Sequence, residues 1–353
     1  MKSHTIMPPS ACAKSYIKHV LSAVLHYSGA LLLLSGITKN RLTIINCHRV
    51  VPEETIMFSA NYPMMVSPAR LESLLKLIAT YANPISLPKA ISHIYDRRAF
   101  KPRTVALTFD DGYADNYTVA FPLLQKHSIP ATIFLATGYI GGERNLWWDE
   151  VEYFFRLPNA SQLLEYAAIP KSIRTIMRDQ VQTQWDREKA ARFIRRELYR
   201  IPHNERIALV DGLWNCLTQD EKPSPLMLDW SQVKAMNGLI SFGSHTVTHV
   251  FADQVDATKL GWELRESKTT IEERTGVSCD GIAYPAGKTS KRFYESAEKY
   301  GYKWGVTTAF RNNSHSVNPM GLARKDIRYF VISGDTRVAS KPEMLGRLAQ
   351  GSL

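Results

Sequence analysis

Short β-branched apolar runs recur along the chain, and polar or ionisable residues directly follow several of them. The first three runs are LTIINC over residues 42–47, TVALTF over 104–109 and ATIFLAT over 131–137. Helices are predicted between them over 67–81 and 120–127, the first with Ser67 as its cap and Pro68 in its first turn. Strands that alternate with helices in this way are typical of parallel β/α units.

The pattern changes between residues 145 and 225, where the spacing is helical and charges are frequent. Four prolines divide this stretch into pieces: Pro158, Pro170, Pro202 and Pro223. We interpret it as a helical insertion. Beyond it, β/α units resume with LISF at 239–242, a helix over 257–275 that Gly276 ends, and short strands near 281–284 and 303–307.

Chemically active residues stand at the ends of the predicted strands. They are His48, the pair Asp110 and Asp111, Ser244 with His245, and Tyr284 with Pro285. In β/α barrels and open α/β sheets, the carboxyl ends of the strands form the rim of the active site. We therefore expect these side chains to converge, although they are distant in sequence.

A metal site is the simplest use of two of these groups. If residues 245–249 turn helically, His245 and His249 project from one face and can hold one ion. Such a pair alone is more often exposed or packed in a core, and an isolated Asp-Asp-Gly more often forms a turn. Together they supply two imidazoles and a carboxylate, which is a three-ligand catalytic site with a position open for water.

These same segments carry a resemblance to a family. TFDDGYADN (108–116) and SHTVTH (244–249) resemble the first two motifs of the polysaccharide deacetylases, the NodB-homology domain of carbohydrate esterase family 4, and YPAG (284–287) resembles the third. The resemblance covers residues 41–328 apart from the insertion. It implies a distorted, incomplete seven-stranded (β/α) TIM-like barrel, with a deacetylase domain over 41–340 and the helical insertion over 145–225.

The resemblance also implies roles for individual residues. Asp111, His245 and His249 align with the metal ligands, and the metal implied is a divalent ion, foremost Zn²⁺. Asp110 aligns with the general base, and the backbone amide of Tyr113 with an oxyanion-hole donor. Three residues of the third motif are expected to wall the substrate pocket: Tyr284, Pro285 and Gly287.

The residue that protonates the leaving amine differs from the commonest family pattern. A histidine near the carboxyl terminus usually supplies it, but beyond His249 the chain has only His315, in a polar stretch. His48 ends the first strand, which resembles the branch of biofilm poly-N-acetylglucosamine deacetylases. We assign His48 as the general acid, with a core histidine as the alternative.

A second departure concerns the arginine that orients the base in many family members. Ala283 and Tyr284 occupy the place where that arginine precedes the third-motif proline. Arg324 is our candidate to replace it, as a bidentate partner of Asp110. A surface arginine is the alternative reading.

Trp147, Trp148 and Asp149 open the insertion just after a strand end. Paired aromatics more often pack in a core than bind sugars, so we expect packing for one tryptophan. Trp148 is our candidate for a sugar contact, and Asp149 for a residue at the rim of the site.

Charge and cysteine content narrow the partners. The formal net charge of +11 favours anionic partners such as acidic glycans, acidic lipids or nucleic acid. Lys and Arg are dispersed without an aromatic-and-basic pattern, so we expect no nucleic-acid binding. The four cysteines, Cys12, Cys47, Cys216 and Cys279, are far apart and predict isolated thiols, as in a reducing compartment.

The amino-terminal segment is the one membrane-like part of the chain. Residues 17–38 are mostly apolar, and we expect a helix within 1–40 that docks on the domain, lies on a membrane surface or anchors in it. Association with a membrane surface would use residues 14–38. No small-residue cleavage site stands out, so a cytoplasmic or membrane-associated location is expected rather than secretion.

These features predict a metal-dependent hydrolase that removes N-acetyl groups from the sugars of a polysaccharide or lipid-linked glycan. One alternative keeps the metal chemistry and cleaves another non-peptide C–N bond. The other is an inactive carbohydrate-binding homologue, which the loss of Asp110 or of a ligand histidine would have indicated. All of these residues are present.

Overall fold

The computed structural model describes residues 39–160, 163, 184–330 and 341–349. Its strands are β1 (Leu42–Cys47), β2 (Arg49–Val50), β3 (Met65–Val66), β4 (Asn83–Pro84), β5 (Thr104–Phe109), β6 (Ala131–Leu135), β7 (Ile240–Ser244), β8 (Gly281–Ala283), β9 (Trp304–Val306) and β10 (Lys325–Asp326). Its α-helices are α1 (Glu53–Met57), α2 (Pro68–Tyr81), α3 (Leu87–Tyr95), α4 (Phe121–His127), α5 (Trp147–Arg156), α6 (Gln184–Leu198), α7 (His203–Asn215), α8 (Trp230–Ala235), α9 (Ala257–Thr275), α10 (Lys291–Lys299) and α11 (Lys341–Ala349).

The main sheet is curled and its pairings are parallel. The strand order is β10-β1-β5-β6-β7-β8-β9, and β4 pairs with the beginning of β5. After β9 the chain returns along that strand, where Thr307 N–H donates to Leu322 O (2.7 Å) and Leu322 N–H to Gly305 O (2.9 Å). An irregular segment therefore continues the sheet between β9 and β10, as expected of a distorted, incomplete (β/α) barrel.

The apolar runs are buried because parallel strands are covered on both faces of the sheet. β1 and β5 have the predicted bounds, and all six residues of each are buried. β6 ends at Leu135 rather than at Thr137, because the next two amides leave the sheet ladder. Ala136 N–H donates to Asp111 O (3.2 Å) and Thr137 N–H to Thr246 O (3.1 Å), so both support loops at the carboxyl end of the sheet.

Two further boundaries differ from the sequence prediction. β7 extends to Ser244, beyond the predicted end at residue 242. Gly243 of this strand pairs with Phe134 of β6, and only a glycine leaves room for the Phe134 ring, because a Cβ at position 243 would lie 2.6 Å from it. α4 begins at Phe121, after a π-helical turn over Asn116–Ala120, rather than at residue 120. The helix predicted over 257–275 is α9, and Gly276 ends it with a φ of 70°.

The stretch between β6 and β7 contains α5, α6 and α7, and the predicted helical insertion lies there. α6 and α7 both pack on α5. Pro158, Pro202 and Pro223 lie outside these helices, and Pro170 lies outside the described residues. The insertion thus begins at the same end of the sheet as the loops that follow β5 and β7.

The amino-terminal helix predicted within residues 1–40 lies outside the described residues. Among the helices that the structure does describe, none has the length and apolar character needed to cross a bilayer. Cys47 and Cys279 are buried free thiols, Cys216 is a partly exposed one, and Cys12 lies outside the described part.

Candidate active site

The predicted residues meet at the carboxyl ends of the strands. His48 follows β1, Asp110 and Asp111 follow β5, and His245 follows β7. These four side chains line one cavity of about 820 Å³, together with His249 and Arg324. This convergence follows from the parallel topology, which places all these strand ends on one side of the sheet.

Asp111, His245 and His249 form a compact group. Nε2 of His245 lies 3.5 Å from Asp111 Oδ1, and Nε2 of His249 lies 3.6 Å from the same oxygen. One ligand atom from each lies within 4.8 Å of the others, and all three residues are buried. Two ligands at about 2.1 Å from a tetrahedral ion are about 3.4 Å apart, so this spacing fits a shared metal.

The charge state of the group also fits a cation. Both carboxylate oxygens of Asp111 are buried and accept no hydrogen bond from the described residues. Burial, together with the charges of Asp110 and Asp149, raises the pKa of Asp111 well above its usual range. A buried carboxyl group without donors is costly, and an ion at this position would remove the cost.

The two histidines are prepared as neutral ligands. Burial lowers the pKa of His245 to about 4, and it lowers that of His249 well below its usual value, with the charge of His245 adding to the effect. Nδ1 of His245 lies 2.7 Å from the carbonyl oxygen of Ala283. Nδ1 therefore carries the proton and donates, which leaves the lone pair of Nε2 directed at Asp111.

The helical turn considered for residues 245–249 does not form. The segment is a loop in which Thr246 and His249 have φ values of 67° and 54°, and Asp111 has a φ of 77°. The left-handed region costs a residue with a Cβ on the order of 1–3 kcal/mol. The two imidazoles thus converge through a strained loop rather than through helical periodicity.

Glu263 holds this loop in place and was missed from the sequence. Its Oε2 accepts from the amides of Val247 (2.8 Å) and Thr248 (2.9 Å), and its Oε1 accepts from the Thr248 hydroxyl (2.5 Å). Glu263 is fully buried on α9. The available signal was its position on the apolar face of that helix, beside Leu260, Leu264 and Ile271.

Replacing Glu263 with Gln should weaken metal binding by about tenfold. The N–H₂ group of the glutamine would face hydrogen-bond donors of the loop where a carboxylate oxygen now accepts, so the loop that carries His249 would be held less firmly. Metal affinity measured by competition with a chromophoric chelator checks this. Glu273→Gln, on an exposed position of the same helix, is the matched control and should leave the affinity unchanged. Equal affinities in both variants would contradict a supporting role for Glu263.

Asp110 and Arg324 form a buried bidentate pair. Arg324 Nη1 donates to Asp110 Oδ1 (2.6 Å) and Nη2 to Oδ2 (2.7 Å). The same guanidinium donates to Thr307 O and Asn46 Oδ1, both at 3.0 Å, which fixes its plane. Arg324 is 2% exposed, so the alternative of a surface arginine is wrong.

The pair keeps Asp110 ionised. Burial alone would raise the pKa of Asp110, but the charge and hydrogen bonds of Arg324 outweigh burial and hold that pKa well below its usual range. A carboxylate is therefore present beside the three candidate ligands at neutral pH.

His48 lies next to this pair. Its Nε2 is 3.9 Å from Asp110 Oδ2, which is too far for a hydrogen bond, and its side chain is 22% exposed. Burial lowers the pKa of His48, whereas the charge of Asp110 acts in the opposite direction. The imidazole reaches the cavity, so a bound molecule could contact it.

Tyr113, Trp148 and Asp149 form a hydrogen-bonded network that contacts the candidate ligand His249. The Tyr113 phenol donates to Asp149 Oδ2 (2.7 Å) and accepts from Trp148 Nε1 (2.8 Å). The Trp148 ring packs edge-on against His249, at 4.7 Å between ring centroids, and it also lines the cavity. Trp147 packs edge-on against Trp148 and lines the cavity too.

Asp149 is not at the rim of the site, contrary to the sequence prediction. It is buried, accepts from Tyr113 and from Asn61 Nδ2 (3.2 Å), and its pKa is raised to about 7 by burial. This carboxyl group points inward from the first turn of α5, where the Tyr113 hydroxyl bonds to both Trp148 and Asp149.

The third motif contributes backbone more than side chains. The ring of Tyr284 is fully buried and packs at 4.7 Å from Phe293, although Tyr284 is among the residues at the cavity wall. Gly287 lines the cavity with a φ of 65°, and a Cβ there would lie 1.9 Å from Thr308 Oγ1. Only glycine allows this close approach. Pro285 is buried in the same turn.

Comparison with known proteins agrees with this site. The family model for polysaccharide deacetylase matches residues 97–305, which is more than half of the chain. The chain therefore belongs to the polysaccharide deacetylase family, as the motifs at 108–116 and 244–249 indicated.

Curated relatives match over part of their length. YxkH of Bacillus subtilis, whose name describes it as a polysaccharide deacetylase, is 25% identical to this chain over 206 residues. These residues are 58% of this chain and 45% of that protein. A poly-β-1,6-N-acetyl-D-glucosamine N-deacetylase of Staphylococcus aureus is 33% identical over 78 residues, which are 22% of this chain and 27% of that protein. The chain thus aligns with less than half of either relative.

Solved structures share the fold. The Streptococcus pyogenes deacetylase PplD, in complex with acetate, has a TM-score of 0.52 at 21% identity, covering 81% of this chain and 92% of that one. IcaB from Ammonifex degensii has a TM-score of 0.54 at 17% identity, covering 89% and 97%. The predicted distorted (β/α) barrel is confirmed.

Proposed function

We propose that this chain is a divalent-metal-dependent N-deacetylase that acts on N-acetylated sugars of a polysaccharide or lipid-linked glycan. The observation that carries the proposal is the buried Asp111 carboxyl group, which has no described donor and faces two neutral imidazoles. An ionised, arginine-paired Asp110 lies directly beside it. Family membership and the S. aureus relative, named for poly-β-1,6-N-acetyl-D-glucosamine, support an N-acetylated glycan as substrate.

The reaction consumes one water and releases one acetate and one free sugar amine. Asp111, His245 and His249 would hold the ion, and two nitrogens with one oxygen are a ligand set that zinc accepts. A divalent ion held there would polarise the acetamide carbonyl and lower the pKa of water at the site.

Asp110 would accept the proton of the attacking water. Arg324 fixes both oxygens of Asp110, so the carboxylate can accept that proton without reorienting. The low pKa of Asp110 keeps it ionised and ready to accept, although it also makes the carboxylate a weak base. The backbone N–H of Tyr113 would donate to the oxygen that gains negative charge as water adds to the carbonyl.

His48 would donate a proton to the amine as the C–N bond breaks. The lowered pKa of its imidazole makes a proton held there readily transferable, and Asp110, 3.9 Å away, stabilises the protonated form. Gly287 and Trp148, which line the cavity, would contact the sugar, and the buried Tyr284 and Pro285 would support the wall.

Acetate release from a panel of N-acetylated substrates tests the proposal. β-1,6- and β-1,4-linked N-acetylglucosamine oligomers should release acetate when Zn²⁺ is present, and simple non-sugar acetamides should not. Release from the non-sugar amides alone would favour another C–N bond as the target. Release from none of the compounds would favour an inactive carbohydrate-binding homologue.

His48→Gln should lower acetate release from N-acetylglucosamine oligomers by about a hundredfold, because the amine would leave without a proton. Hydrolysis of 4-nitrophenyl acetate should change little, since that leaving group needs no proton. Parallel rate measurements on the two substrates check this. Equal losses on both substrates would contradict the role of general acid.

A further inference from the structure

A ridge of basic side chains lines the mouth of the active-site cavity. It consists of residues from α6 and the turn that follows: Lys189, Arg192, Arg195, Arg196 and Arg200. Over residues 188–200, only Glu188 and Glu197 are acidic. Elsewhere in the described lining, the acidic side chains are Asp110, which is paired with Arg324, and Asp111, a candidate metal ligand. Among the described residues that line the cavity, positive side chains therefore outnumber negative ones.

The ridge follows from helical spacing. Residues 189, 192 and 196 recur at intervals of three and four, so they share one face of α6. Phe193 and Tyr199 lie between the cations and also line the cavity. The guanidinium of Arg196 stacks on Phe193, 5.2 Å from the centre of its ring, which holds it close to the cavity wall.

At the carboxyl end of the ridge, one carboxylate serves two guanidinium groups. Glu197 is shared between Arg196 (3.2 Å) and Arg200 (3.1 Å), two side chains that are 61% and 64% exposed. Arg192 lies 3.8 Å from Glu188, and Arg195 donates to Asn61 and is also stabilised by the charges of Glu152 and Asp149. Like charges crowded at a half-enclosed mouth repel one another, and an anionic ligand would relieve that repulsion.

We propose that the substrate carries an anionic group, a carboxylate or a phosphate, close to the N-acetylated sugar, and that the ridge binds it. This inference rests on the proposed deacetylase function. The planar forks of Arg196 and Arg200 match carboxylate and phosphate oxygens, and the interleaved aromatic rings suit the apolar face of a sugar. A neutral N-acetylglucosamine polymer would leave this charge unused.

Binding separates the inference from the proposed activity. Calorimetry of the full chain would compare four ligands in two pairs. The first pair is a hyaluronan oligosaccharide, in which glucuronate alternates with N-acetylglucosamine, and a neutral chitin oligosaccharide of equal length. The second pair is N-acetylglucosamine 1-phosphate and N-acetylglucosamine. We expect tighter binding by about tenfold for the anionic member of at least one pair, with the advantage shrinking as NaCl rises. A preference within the hyaluronan pair would indicate a carboxylate, and a preference within the N-acetylglucosamine 1-phosphate pair would indicate a phosphate.

The variant Arg196→Gln/Arg200→Gln should reduce this preference for the anionic ligand by about tenfold. Arg98→Gln is the matched control, since Arg98 is exposed, pairs with Asp96 at 3.1 Å and lies outside the cavity lining. Thermal unfolding would verify that all the proteins are folded.

Equal binding of charged and neutral ligands would overturn the inference. So would a double variant whose preference matches that of the control. Loss of binding to anionic phospholipid vesicles in the double variant, with no anionic preference among the sugars, would assign the ridge to a membrane surface and equally overturn it. If the sugar preference holds but no substrate releases acetate, the proposed activity fails while the anion site stands.

Discussion

Asp110→Asn should reduce acetate release by about three orders of magnitude while the protein remains folded. The amide cannot accept the proton of the attacking water, and general base catalysis is typically worth 10²–10⁴-fold in rate. The change is nearly isosteric, and the amide oxygen can still accept from Arg324, so the loss should appear in kcat rather than in KM. Acetate release under saturating substrate, measured beside the wild type, checks this.

Asp96→Asn is the control for a lost surface carboxylate, because Asp96 is paired only with exposed Arg98 in the described structure. It should retain the wild-type rate. If Asp110→Asn also retained the rate within about threefold, the base would have to be another group and the mechanism above would be wrong.

Arg324→Gln should destabilise the fold by about 3–5 kcal/mol and lower acetate release by at least about a hundredfold. Removing one partner of a buried ion pair leaves the other charge uncompensated. Without Arg324, burial raises the pKa of Asp110, so the acid side of the pH–rate profile should move to higher pH. Chemical denaturation and a pH–rate profile measure the two effects.

The pH dependence of stability has a defined sign. The pKa of Asp110 is depressed by folding, so the pair stabilises the wild type fully above the ordinary carboxylate pKa of about 4. That contribution is lost as the pH falls towards the lower folded value. The stability difference between the wild type and Arg324→Gln should therefore narrow in acid.

Arg324→Lys separates charge from geometry. An ammonium preserves the charge but cannot donate two parallel hydrogen bonds, so activity and stability should lie between those of the wild type and Arg324→Gln. Full activity in Arg324→Lys and in Arg324→Gln would contradict an orienting role for Arg324.

The framework of the site could be predicted from sequence because it depends on local patterns. The apolar runs of β1 and β5 set their own limits, and strand–helix alternation determines that the strands are parallel. Parallel strands place their carboxyl ends together, so His48, Asp110 and His245 could be expected in one cavity. The pairing of Asp110 with Arg324 was a weaker prediction, since Arg324 precedes a two-residue strand that has no pattern of its own.

The details that sequence analysis missed depend on tertiary contacts. His249 has a left-handed φ and directly follows two residues whose amides donate to Glu263, and nothing in His-Thr-Val-Thr-His indicates this arrangement. Asp149 was expected at the rim because it opens the insertion just after a strand end, yet it is buried and accepts hydrogen bonds from Tyr113 and Asn61. In both cases a buried hydrogen bond decides between conformations that the local sequence allows equally.

Restoration of activity by metal tests the central claim most directly. The protein would be stripped with a chelator and dialysed, and acetate release from an N-acetylglucosamine oligomer would be measured as Zn²⁺ is returned. We predict that stripping abolishes release, that about one equivalent of Zn²⁺ per chain restores it, and that Asp111→Asn is not restored. Full activity in the stripped protein, or recovery of Asp111→Asn at one equivalent, would contradict the account.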